Sequence, residues 1–211
     1  MGSIRRVFGE VVGDDRRPGA LIVLGQVSFL VFLALAVALH PGFVLKADEG
    51  GISNYGIHLK TVVPYSLAFV LCAYFSIRAA GLCRGPGITT RRFRYLLTVY
   101  ACLLLLTLLS TYGYRLDVGL KEIHVAAGVT TVAFEVAASV WMYAQLRGGW
   151  DAVFLAVQLV GSAVAGLTVL GVGRLLFLGQ AVASMGFALL LIRTGQAVPP
   201  SGPGPGPEPH R

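Results

Sequence analysis

Charge is scarce in this chain. Asp, Glu, Lys and Arg together make 13% of its 211 residues, about half the share that a soluble domain carries. So few charges cannot clothe a core drawn from the 55% of residues that are hydrophobic, and an ordinary soluble domain is excluded. Acids are the scarcer sign, 10 against 17 Lys and Arg, which leaves a formal net charge of +7. In a soluble protein that excess would point to nucleic acid. Here the basic residues flank apolar runs and are not interleaved with exposed aromatics, so no nucleic-acid partner is expected. Cysteine is nearly absent. Cys72 and Cys102 fall inside apolar runs, Cys83 lies in a short basic loop, and there is no CxxC pair. A framework of several disulfides is thereby excluded, and the three thiols read as small packing residues.

What the chain has instead is long apolar runs. A helix crossing a hydrocarbon layer of about 30 Å needs about 20 mostly apolar residues. Six such runs occur: Ala20–Leu39, Thr61–Ile77, Phe93–Tyr112, Ile123–Leu146, Ala152–Leu170 and Leu175–Ile192. The first exceeds the roughly 7–15 apolar residues of a signal peptide and is read as a retained helix. Pro64 falls in the first turn of the second run, where a missing donor costs little. Glycines mark the connection His40–Lys60, and Gly85-Pro86-Gly87 marks a basic loop. The expected fold is all-α: an integral membrane bundle of six transmembrane helices over residues 20–194. A polar segment, 1–19, precedes it. A disordered tail, 195–211, follows and ends in PPSGPGPGPEPHR.

Lys and Arg set the expected orientation. Arg5, Arg6, Arg16, Arg17, Arg78, Arg84, Arg91, Arg92, Arg94, Arg147, Arg193 and Arg211 fall on one side, and Lys46, Lys60, Arg115, Lys121 and Arg174 on the other. The side with twelve is expected to be cytoplasmic and to hold both termini, in a multi-pass protein of the cell membrane. Tyr112, Tyr114, Trp141, Tyr143 and Trp150 lie near run ends, as an aromatic belt requires.

This topology gathers polar residues at the outer surface. His40, His58 and His124 lie there with Asp48, Glu49, Ser53, Asn54, Tyr55, Asp117, Glu122 and all three lysines. Three readings compete: a solvated rim, a site for a lipid head group or other polar ligand, and a zinc site of His40, His58 and His124 with a carboxylate. The fourth run adds a sharper pattern. His124, Gly128, Thr131 and Glu135 are spaced i, i+4, i+7 and i+11, which puts Glu135 within about 20° of His124 and about 16 Å deeper. A carboxyl at that depth is costly and is expected to face the bundle interior. Tyr100, Gln158 and Gln180 are its candidate partners, and a structural and a functional role are both open. In the fifth run, Gly161/Ala165 and Ser162/Gly166 are small-xxx-small pairs, suited to close packing within the bundle or between copies.

The run Glu49-Gly50-Gly51-Ile52-Ser53-Asn54-Tyr55-Gly56, with Lys121-Glu122-Ile123-His124 opening the fourth helix, resembles the DRAM/Sfk/Frag-type membrane proteins and related bacterial six-helix proteins of unknown function. Ser53, Gly56 and His124 carry the match over about Ala20–Ile192, and Asn54 stands where that family often has an acid. The resemblance implies six helices and a role in lipid or membrane homeostasis. The leading expectation is a non-enzymatic membrane protein that binds a lipid head group or a protein partner, a second copy included, through Ser53, Asn54, Tyr55, His58, His124 and Glu135, without a cofactor. The alternative is an intramembrane zinc-dependent lipid hydrolase similar to the ceramidase-like and progestin-receptor-like proteins, with His40, His58 and His124 on the metal. A transporter is disfavoured because no internal repeat is evident.

Overall fold

The computed structural model describes residues 17–42, 44, 51–85, 87–116 and 120–198, with only the backbone given for 114–116. All regular structure among them is helical. Helix α1 is Pro18–Leu39, a 3-10 turn Gly51–Ser53 leads into the short α2, Asn54–Ile57, and α3 is Val62–Leu82. Then follow α4, Ile88–Leu116, α5, Lys121–Leu146, α6, Gly149–Val169, and α7, Leu176–Ala197. Six of the seven are long and apolar enough to cross a membrane. The chain is a multi-pass α-helical membrane protein.

The helices overrun the apolar runs that announce them, chiefly at one end. α3 continues past Ile77 through Arg78 to Leu82. α4 starts at Ile88, before Arg91, Arg92 and Arg94. α7 passes Arg193 to Ala197, so the helical domain extends three residues into the stretch read as a tail; 199–211 and 1–16 lie outside the described residues. Arginine is a good helix former and carries its charge away on a long stem, so it ends hydrophobicity without ending a helix. The short α2 was not expected.

α1, α3, α4, α5 and α7 pack in that order as a closed ring, and α6 lies against α5 and α7. Side-chain contacts show which ends meet. Ser66 bonds Tyr112 between the start of α3 and the end of α4, and Ser110 bonds His124 across α4 and α5. At the opposite end, Asp151 of α6 pairs with Arg193 of α7 at 3.2 Å and accepts the Gly148 N–H at 3.1 Å. One end therefore carries His40, His58, His124, Lys60 and Lys121, and is here termed the histidine end. The other, the arginine end, carries Arg17, Arg78, Arg84, Arg91, Arg92, Arg94, Arg147 and Arg193.

The tightest seam joins α6 to α7. A side chain at Gly161 would lie 2.8 Å from the Ala183 Cα, and one at Gly186 would lie 2.9 Å from the Gln158 Cα. In lipid no hydrophobic force drives such a seam, so helices gain from close backbone approach where side chains are absent. Gly161 and Ala165 thus serve the bundle itself, against Gly179 and Ala183 of α7. The neighbouring pair does not: Gly166 has open space beyond its Cα. Cys72 and Cys83 are buried packing residues, whereas Cys102 is exposed on the outside of α4.

Two outcomes follow from this packing. Gly161→Val is expected to cost about 1–3 kcal/mol by overpacking, seen as a lower unfolding midpoint of the detergent-solubilised protein, while Gly166→Ala leaves the midpoint unchanged. Burial pushes the Cys83 thiol up to about 11 against the opposing pull of Arg94. Little thiolate is present at neutral pH, so alkylation of Cys83 in the native protein should be slow and accelerate on unfolding.

Candidate functional site

The 3-10 turn and α2, Gly51–Ile57, close the histidine end as a cap. Gly51 adopts φ +55, a conformation open to glycine at little cost. That turn aims the Ile52 N–H at Gln180 Oε1 of α7, 2.8 Å away. Tyr55 is fully buried beside Phe177, ring centroids 5.7 Å apart, and burial pushes its phenol above the usual tyrosine range. Its carbonyl accepts from Thr61 Oγ1 at 2.6 Å. A Cβ on Gly56 would meet Tyr65 Cε1 and Thr111 Cγ2 at 2.6 Å, so only glycine fits there. The Tyr65 hydroxyl in turn bonds Thr111 Oγ1 at 3.2 Å. The cap is ordered, as its short polar side chains and glycines imply, but its main neighbours are α3, α4 and α7. α7 is among them because its Gln180 supplies the acceptor that Ile52 needs.

Of the six residues read as ligand-binding, three are thus part of this cap. Tyr55 is sealed beneath it, and Ser53 and Asn54 are half-buried. His58, at the end of α2, lies beside His40, ring centroids 5.4 Å apart. The two rings line an open cleft with Ile57, Leu59 and Lys60. Lys60 is a residue that the sequence reading left out of the site, although its charge beside His58 was a usable signal. His124 belongs elsewhere, on the seam between α4 and α5, where its Nδ1 lies 3.0 Å from Ser110 Oγ. Among the described residues no three His, Cys, Asp or Glu side chains converge as a metal site would require; Asp48, Glu49 and Asp117 lie outside them.

From His124 a polar column runs inward along α5. Ser110 donates to the Thr107 carbonyl at 2.9 Å, and Thr107 Oγ1 lies 3.0 Å from Thr131 Oγ1. One turn deeper sits Glu135, 6% exposed, within hydrogen-bonding reach of Gln158 of α6. Gln158 Nε2 donates to Ser162 Oγ at 3.3 Å, while its Oε1 is buried without another partner. Cys72 and Tyr100 border the carboxyl, and Gln26 donates to Cys72 Sγ at 3.5 Å. The helical spacing of His124, Thr131 and Glu135 therefore places all three on the inward side, with Gly128 leaving open space between them.

Of the three candidate partners, Gln158 and Tyr100 lie next to Glu135, and Gln180 is committed to the cap. Glu135→Gln keeps a donor for Gln158 and should unfold close to wild type. Glu135→Leu strands a buried amide and should cost about 1–3 kcal/mol, read as a lower midpoint in the same detergent.

No family model, no curated protein and no solved structure matches this chain.

Proposed function

We propose that this multi-pass membrane protein acts without catalysis, binding the head group of a membrane lipid at its histidine end. The observation that carries the reading is the cleft of His40, Ile57, His58, Leu59 and Lys60. Two imidazoles and an ammonium offer hydrogen-bond donors and positive charge to a phosphate-bearing head group. Around them stand exposed apolar side chains, Leu39, Val44 and Leu59, which suit the acyl region of the same molecule. The ordered cap fixes one wall of the cleft, so binding orders little further chain. The resemblance of Ile52–Gly56 and His124 to DRAM/Sfk/Frag-type proteins points to the same lipid role. We further propose that the histidine end faces away from the cytoplasm, on the strength of the arginine excess opposite.

A phospholipid with a photoactivatable group in its head group tests the site. In vesicles holding the full chain, peptide mass spectrometry should place crosslinks on 57–60, and His58→Ala with Lys60→Ala should lower their yield about tenfold, as loss of one charge-assisted hydrogen bond does. Crosslinks spread evenly around the bundle would remove the proposal. Reporter fusions after Asn54 and after Arg193 check the orientation: an external signal at Arg193 reverses it.

A further inference from the structure

The arginine end has a feature that topology alone does not require. All eight of its described cations are arginine, whereas the described lysines, Lys60 and Lys121, lie at the opposite end together with Arg174. Lys and Arg serve the orientation rule alike; they differ in that guanidinium presents a planar fork of donors matched to phosphate oxygens. The single acid described at this end, Asp151, is buried and already paired with Arg193. At Arg84, Arg91, Arg92 and Arg94 the positive charge is therefore not neutralised by any described carboxylate.

The arginines are also arranged. Arg91 and Arg94 both lie over the ring of Tyr95, 6.0 and 5.6 Å from its centroid, and Arg78 lies 5.8 Å from that of Tyr74 while bonding its hydroxyl at 2.9 Å. Arg84 and Arg147 spend only Nε, each on a carbonyl of its own preceding helix, which leaves their terminal nitrogens to other acceptors. Tyr95 is half-exposed, and Ile88 and Trp150 are 65% and 73% exposed, an aromatic and apolar rim at the depth of head groups. Arg91, Arg92 and Arg94 stand in the first two turns of α4, with no acid in the first turn. Cations there oppose the helix dipole, so their benefit lies outside the helix.

We propose that the arginine cluster of the α3–α4 loop and the start of α4, centred on Arg84, Arg91, Arg92 and Arg94 around Tyr95, is a docking surface for anionic membrane lipids. It is independent of the cleft at the histidine end. The lipid phosphate lies among the guanidiniums, and its chains run along the exposed apolar side of α4.

Electron spin resonance of spin-labelled phosphatidylglycerol and phosphatidylcholine tests this, in phosphatidylcholine vesicles holding the full chain. Phosphatidylglycerol should associate more strongly, and each arginine removed should weaken that preference about fivefold. Arg91→Gln and Arg94→Gln, made singly, keep most of the charge that fixes orientation. In the wild type the preference should also fall as salt is added. In a His58→Ala, Lys60→Ala background each arginine variant should weaken the preference by the same factor as in the wild type, which separates this surface from the histidine-end cleft. Equal association of the two lipids, or a preference unmoved by the arginine variants, overturns the proposal. So does full loss of the preference on adding inorganic phosphate at constant ionic strength, which would assign the site to a soluble anion.

Discussion

Between the two ends of a bundle in hydrocarbon, a polar group gains most from a partner within the protein. That constraint organises much of the interior. Gln158, carried by a helix outside the main ring, reaches Glu135 of α5 and Ser162 of its own helix. Thr107 and Thr131 satisfy one another across α4 and α5. Thr131 also donates to the Ala127 carbonyl of its own helix at 2.9 Å. The polar column thus acts as an internal lattice that fixes the rotation of α5 about its axis, because turning Glu135 toward lipid would cost about 2.5–3.5 kcal/mol even on lenient insertion scales.

The glycine seam between α6 and α7 answers a different demand of the same medium. Apolar surface gains nothing by leaving lipid for protein, so contact must be dense to matter. α6 is the least buried of the long helices. It is held by backbone proximity at Gly161, Gly179 and Gly186, by Gln158, and by the Asp151–Arg193 pair at its start. Packing and polar bonding there act on the same few turns.

The long helices were legible because an apolar run of sufficient length has one stable form in a membrane. Their ends at the arginine side were not, since Arg78, Arg91 and Arg193 look polar in a hydropathy profile yet sit comfortably in helices. The inward face of α5 was legible for a geometric reason: His124, Thr131 and Glu135 share a face in any regular helix. The cap was half legible. Gly51 and Gly56 announced a turn, but a four-residue helix has no period to read. That Ile52 bonds Gln180, 128 residues away, depends on ring order, which local pattern does not encode. The three histidines were grouped by side of the membrane, which is correct as far as it goes. Ring order then gives two of them to the α1–α2 cleft and the third to the α4–α5 seam.

The contact of Gly19 with Gly195 joins the first helix to the last, with a Cβ at Gly19 lying 3.2 Å from the Gly195 carbonyl carbon. During synthesis α1 is made well before α7, so its glycine-bearing face stays open until α7 has followed. A chain truncated before α7 therefore keeps that side of the ring unsealed.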